Sequence, residues 1–180
     1  MPKTSNPTIR IIYTIGHSNR SIEDFISILI YYKISTIIDV RRFPTSRKFP
    51  HFSRENLVKE LSRVGINYVW LGEKLGGLRG YVRGAKRIKC FRAEGYRNYA
   101  AYMQTEEWKK AFEKLVELAQ KSLSAVMCAE RIPWRCHRKL ISDALLVRGF
   151  KVIHIIEKDR IVYHKLSKCA KLENGRLVYM

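Results

Sequence analysis

Five short runs of apolar residues recur along the chain, at positions 10–15, 36–40, 66–71, 123–128 and 151–156. Each is too short for a buried helix, and most are apolar at consecutive rather than alternate positions. That pattern predicts strands of a parallel sheet covered on both faces. Between the runs, apolar residues return at helical spacing: Ile22, Phe25, Ile26, Leu29 and Ile30; then Leu57, Leu61 and Val64; then Trp108, Phe112, Leu115 and Leu118 or Ala119; then Leu140, Ile141, Ala144 and Leu145. Residues 96–103 also read as helical. Ser21 with Asp24 three positions on forms a capping-box pattern, and Ser53 and Thr105 stand where helix N-caps belong. Gly65 and Gly149 each end a helix directly before a strand. Residues 72–97 carry no regular period. Near the end, Asn174-Gly175 between apolar flanks predicts a hairpin. The expected fold is α/β: one domain, 1–180, with a single open, mostly parallel sheet and flanking helices. Its core covers about 11–158, and a small C-terminal β-hairpin extension covers 159–180.

In such sheets ligands bind beyond the carboxyl ends of the strands. The segments selected by that rule are Gly16-His17-Ser18, Asp39-Val40-Arg41-Arg42, Leu71-Gly72-Glu73 and Cys128-Ala129-Glu130. His17, Asp39, Glu130 and Arg138 are therefore expected to converge at one end of the sheet.

Composition sharpens the picture. Lys and Arg total 35 against 16 Asp and Glu, a formal charge of +19. An excess this large favours a polyanionic partner, nucleic acid before an anionic membrane. No apolar stretch is long enough to span a bilayer, and the first seven residues are polar with no signal-peptide core, so a cytoplasmic location is expected. Scarce glutamine with abundant Lys, Arg, Glu and Ile is a composition thermophiles favour. The four cysteines, Cys90, Cys128, Cys136 and Cys169, do not read as a secreted disulfide framework. A Cys128–Cys136 bond is the pairing a hyperthermophile would allow.

Two loops concentrate the charge. Residues 41–54 hold five Lys or Arg, no acid, and Phe43, Phe49 and Phe52; residues 79–97 hold seven basic residues with Tyr81, Phe91 and Tyr96. Charge follows a phosphodiester backbone, and aromatic rings stack on exposed bases. Arg41, Arg42, Arg83, Lys86, Arg87, Lys89, Arg135 and Arg138 are the candidate phosphate or nucleic-acid ligands. The last two belong to "CAERIPWRCHR", residues 128–138, which links the fourth strand to the next helix. Guanidinium groups at a helix N-terminus make an anion site with its free N–H groups.

The same rim supplies candidate catalysts. His17 is a candidate general base or phosphate donor. Asp39 and Glu130 end neighbouring strands, where they could activate water or share a divalent metal. Cys136, beside Arg135, His137 and Arg138, is a candidate nucleophile or metal ligand. Seven residues separate it from Cys128, unlike the short spacing of common zinc knuckles. Packing of both cysteines at the strand-to-helix junction is the plainer reading. The preferred expectation is a nucleic-acid hydrolase cleaving a phosphodiester or glycosidic bond. The alternatives are a non-catalytic nucleic-acid-binding module and a cysteine-dependent sulfur- or acyl-transfer enzyme.

The ordered set "TIGHSNRSIEDF", "IIDVRRFPTS", "YVWLGEKLGG", "YRNYAAYM" and "VMCAERIPWRCHRKLIS" resembles the domain of unknown function 488 family over about residues 11–158. That resemblance implies a compact α/β domain with enzymatic or nucleic-acid roles, and supplies no settled reaction.

Overall fold

The computed structural model describes residues 10–180; the polar N-terminal segment read above for a signal peptide lies outside them. Six strands form one sheet in the order β3-β2-β4-β1-β5-β6. They are β1 (Arg10–Gly16), β2 (Thr36–Asp39), β3 (Asn67–Trp70), β4 (Ser124–Cys128), β5 (Phe150–Glu157) and β6 (Arg160–Tyr163). The first five are parallel, and β6 turns back antiparallel on β5. A separate hairpin of β7 (Ala170–Glu173) and β8 (Arg176–Tyr179) turns at Asn174-Gly175, both with positive φ. The mostly parallel α/β sheet and the C-terminal hairpin are as the sequence predicts. β6 was not anticipated: its four residues are largely exposed, and its apolar run, Ile161-Val162-Tyr163, is too short to read as a buried strand.

Consecutive side chains of the central strands divide between two cores. Ile12, Ile38, Val126 and Val152 pack on one face, and Ile15, Ile37, Ala125, Met127 and Ile155 on the other. This period of two, apolar on both faces, explains the continuous apolar runs. The first face is covered by α4 (Glu94–Tyr102), α5 (Glu106–Lys121) and α6 (Arg138–Val147), and the second by α1 (Ile22–Tyr31) and α2 (Arg54–Arg63). One short helix, α3 (Gly72–Leu75), lies within the segment expected to be irregular. Ser21 accepts a hydrogen bond from the Asp24 N–H at 3.1 Å, and Thr105 accepts one from Trp108. Ser53 occupies the N-cap of α2 without a side-chain bond. Ile30 and Val64, assigned to apolar faces from spacing, are exposed, while Ile28 is buried instead.

β4 lies between β1 and β2, so the chain fills the middle of its sheet late. The helix after β1 covers one face and the helix after β4 covers the other. Adjacent strands whose connections part in this way open a crevice at their carboxyl ends.

The C-terminal segment is tied into the domain. Tyr179 is buried in the core beside Phe91, and Cys90 and Cys169 are disulfide-bonded across 79 positions. Closing a loop of that length is worth about 4–5 kcal/mol in the chain-entropy account. The sequence reading anticipated no such bridge, because spacing carries no information on which distant thiols meet.

Candidate active site

A cleft of about 1120 Å³ opens over the ends of β1, β2 and β4. The register sets its floor: Gly16 pairs with Cys128, and Asp39 pairs with Met127. The ladder continues past the strands, since His17 N–H donates to Cys128 O at 2.9 Å and Val40 N–H to Met127 O at 2.9 Å. Gly16 is required here. A Cβ on it would meet Glu130 O at 1.9 Å, so the loop after β4 crosses β1 at backbone contact distance. Gly72 has the same role after β3, where a Cβ would meet Arg41 O at 1.7 Å.

His17, Arg41, Arg42, Glu130, Arg135 and Cys136 all line this cleft. Asp39 does not reach it. Its carboxylate is fully buried and held by Arg41 Nε at 3.0 Å from each oxygen, Arg41 Nη2 at 2.6 Å, and Tyr68 O–H at 2.6 Å. These contacts, with the Arg41 backbone N–H at 2.9 Å, leave it committed to orienting Arg41 rather than a water. Burial lowers the Arg41 pKa, but the bonds to Asp39 outweigh it and hold the guanidinium firmly charged.

His17 stacks on Phe52 at 4.3 Å. Its Nδ1 donates to Ser18 O at 2.9 Å, and Arg41 Nη1 lies 3.3 Å from its Nε2. Burial first, then the Arg41 charge, push its pKa down to about 4. The imidazole is therefore neutral at pH 7, with Nε2 as an acceptor facing Arg41. That arrangement opposes its expected use as a phosphate donor and makes it a weak base.

Arg138 is displaced most from its expected place on the wall. It is fully buried beneath the cleft. Its Nε lies 2.9 Å from Cys128 Sγ and 3.3 Å from Cys136 Sγ. Nη2 donates to Glu130 O, and Nη1 to Thr14 Oγ1 at 3.3 Å. No phosphate can reach it without the loop leaving.

The two sulfurs are 3.2 Å apart and not bonded to each other. Cys136 follows the 3-10 turn Pro133–Arg135 and is half-buried on the cleft wall. The Arg138 N–H, opening α6, points at its sulfur from 3.4 Å. Burial alone would raise its pKa; the bond from Cys128, the Arg138 charge and the Arg138 N–H overcome this and hold it well below the thiol range. Burial, then the bond to Cys136, push Cys128 well above it. Of the two thiols, Cys136 is the more acidic.

The walls are basic and aromatic. Arg42, Lys48, Arg131 and Arg135 line the cleft against one carboxylate among the described lining residues, Glu130; the Arg131 guanidinium is paired with Glu157. Glu130 is exposed and accepts from the Ile132 N–H at 3.1 Å. Arg42 sits over Phe43 and Lys48 over Phe49. Tyr96, its pKa pushed up to about 12 by burial and then by Cys136, remains a neutral phenol and donates to Trp134 O. Arg83, Lys86, Arg87 and Lys89 are exposed on the 79–97 loop and do not line the cleft. Among the described residues, no three His, Cys, Asp or Glu side chains converge as a metal site. That geometry gives neither the Asp39–Glu130 pair nor the Cys128–Cys136–His137 set a coordination shell: His137 turns its Nε2 to Val40 O.

The family model Domain of unknown function DUF488 matches residues 21–145. The chain belongs to this family. No curated protein and no solved structure matches it. The matched span carries Asp39, Arg41, Cys128, Glu130, Cys136 and Arg138; His17 and Gly16, which complete the floor of the cleft, lie just before it.

Beneath the cleft runs a buried chain that sequence reading missed. Arg138 Nη1 meets Thr14 Oγ1, which is 2.7 Å from His154 Nδ1. His154 Nε2 is 2.9 Å from His164 Nδ1, and His164 Nε2 is 2.8 Å from Asp143 Oδ1. Asp143 also accepts from the Ser167 N–H and the Tyr179 O–H. One signal was legible: His154 stands inside an apolar strand run, where a polar side chain requires a partner.

Proposed function

We propose that this protein is a cysteine-dependent transfer enzyme whose Cys136 thiolate attacks an electrophilic centre on a polyanionic substrate, with nucleic acid as the substrate class. One observation carries the reading. The Arg138 guanidinium is fully buried, yet among the described residues no carboxylate lies within ion-pair distance of it. A buried, unpaired cation costs several kcal/mol, so it needs an anion. The ionisable groups in contact with it are the two thiols; both border the cleft, and Cys136 is the more exposed of the two. A thiolate held by a guanidinium and a helix N–H is a prepared nucleophile.

The substrate class is supported by charge. The +19 excess and the Arg42, Lys48, Arg131 and Arg135 walls suit phosphates, and exposed Phe43 offers a stacking surface. The hydrolytic alternative has fewer resources, since Asp39 is committed to Arg41 and Glu130 stands alone in solvent.

Alkylation with iodoacetamide across pH, with the modified residue identified by peptide mass mapping, tests the thiolate. Cys136 is expected to react at near-constant rate well below the ordinary thiol pKa of about 8.5, and a single-stranded oligonucleotide at low salt should slow that reaction. A Cys136 profile that rises only near the ordinary thiol pKa overturns the thiolate. Oligonucleotide binding without protection moves nucleic acid out of this cleft.

A further inference from the structure

We infer that Cys128 is a second reacting thiol, so that the pair works as a two-electron dithiol–disulfide couple that reduces a disulfide through Cys136. This rests on the Cys136 thiolate proposed above and names the chemistry that follows it. Three features of the geometry support it. The sulfurs stand in hydrogen-bond contact 3.2 Å apart, so a bond needs a shift of little more than 1 Å from this distance to the ordinary S–S length of about 2.05 Å. Their access is unequal: Cys128 is buried at the end of β4, whereas Cys136 is half-buried on a loop that follows a 3-10 turn. A substrate therefore meets Cys136 first, and Cys128 waits behind it. Finally, Arg138 Nε contacts both sulfurs, so negative charge on either one is compensated by the same buried cation.

For this chemistry the substrate is a disulfide carrying anionic groups, in place of the nucleic acid proposed above, and the Arg42, Lys48, Arg131 and Arg135 walls would hold it. In the first step the Cys136 thiolate attacks R–S–S–R′. A Cys136–S–S–R bond forms, the S–S bond of the substrate breaks, and R′–S⁻ leaves. In the second step Cys128 gives its proton to a departing thiolate and attacks Cys136 Sγ. The Cys128–Cys136 bond forms and R–S⁻ leaves. The pair is oxidised by two electrons and the substrate disulfide is reduced by two. One negative charge enters and one leaves. A non-sulfur adduct, such as an acyl thioester, offers Cys128 no S–S bond to cleave, which is why the geometry favours sulfur over acyl transfer.

The test treats the purified full chain with glutathione disulfide, a disulfide bearing carboxylates, and maps every cysteine by mass spectrometry. The wild type should end with Cys128 joined to Cys136 and no retained glutathione, while Cys90–Cys169 is read separately in the same map. Cys128→Ser and Cys128→Ala should each accumulate glutathione on Cys136. Cys136→Ser should leave Cys128 unmodified over the same time. Stable glutathione on Cys136 in the wild type would overturn the role of Cys128 and leave the thiolate reading intact. Attack at Cys128 first reverses the assigned order and overturns the proposal. Failure of wild-type Cys136 to react with either glutathione disulfide or iodoacetamide removes the thiolate itself. Because the wild type alone discriminates these outcomes, the test survives a variant that does not fold.

Discussion

Arg138 shows how one residue can reverse a reading. From its sequence position it is a cation at a helix N-terminus, suited to phosphate; folded, it lies under two sulfurs with 0 % exposure. Arg138→Met keeps much of the volume and removes the charge. Removing one partner of a buried charge pair costs about 3–5 kcal/mol while the other stays charged, but Cys136 can take up a proton and shed its charge, so the cost should be smaller than that and the variant should still fold. Without the guanidinium, the Cys136 pKa should return to or above about 8.5, and its alkylation rate at pH 7 should fall about tenfold or more. A pH–rate profile in the variant checks this, with circular dichroism to confirm the fold. Gly16 makes a second residue-scale case. Its missing Cβ would lie 1.9 Å from Glu130 O and 2.8 Å from Arg131 Cα, both backbone, whereas a Cβ on Gly95 meets nothing within 4 Å. Gly16→Ala should therefore cost more than about 2 kcal/mol, by displacing the loop. Gly95→Ala, inside α4, should be neutral or stabilising by up to about 1 kcal/mol. Urea unfolding of the two variants compares them directly.

At the scale of elements, legibility followed burial. β1, β2, β4 and β5 are covered on both faces, and each left a continuous apolar run; β6 is largely exposed and left only the three residues Ile161-Val162-Tyr163. The rim was also legible, because strand ends follow from strands: His17, Arg41, Glu130 and Cys136 do share a cleft. Side-chain direction was not legible. Sequence cannot show that Asp39 turns inward to Arg41 and Tyr68, or that Arg138 turns under its own loop, since residues two positions apart can point either way and the remaining partners, Tyr68 and Thr14, lie 29 and 124 positions away. The buried relay is the clearest case, joining β1, α6, β5 and the segment after β6. Its donors and acceptors have one consistent order. Arg138 donates to Thr14, Thr14 to His154 Nδ1, His154 Nε2–H to His164 Nδ1, and His164 Nε2–H to Asp143. Reversing the histidines would give Thr14 two donors and strand its own proton. The chain therefore fixes the edge of Arg138 that faces away from the sulfurs. Thr14→Val breaks it next to Arg138 with little change in shape. The variant is expected to broaden the Cys136 pH–rate profile and raise its midpoint, while both histidines keep their Nε2–H tautomer by ¹⁵N NMR. An unchanged Cys136 profile would show that the relay serves stability alone.

For the whole molecule, charge and buried titratable groups together set an acid limit on stability. Burial first, then nearby cations, lower His17 to about 4, and burial, then His164 and Arg138, lower His154 to about 3. In the unfolded chain each returns to about 6.5. As pH falls from about 6.5 towards those values, the unfolded state binds protons that the folded state refuses. Stability therefore drops by up to about 1.4 kcal/mol per pH unit for each histidine. Cys136, also lowered, acts in the same direction up to the unfolded thiol value of about 8.5, above which raised Cys128 acts in the opposite one. Stability should thus be greatest between about pH 7 and 8.5 and fall on both sides. The +19 excess adds acid-side repulsion of its own, but the two causes respond differently to salt. Raising salt from about 0.1 to about 1 M shortens the screening length from about 10 to about 3 Å and removes most repulsion between surface charges. It does little for the cost of charging a buried imidazole. Urea midpoints measured from pH 4 to pH 9 at both salt levels separate them. The slope that remains below about pH 6.5 at high salt belongs to the buried groups, the histidines together with Cys136, and its histidine part should shrink in His154→Asn. If that slope vanishes in high salt in the wild type, the acid limit belongs to the surface charge and not to the buried imidazoles.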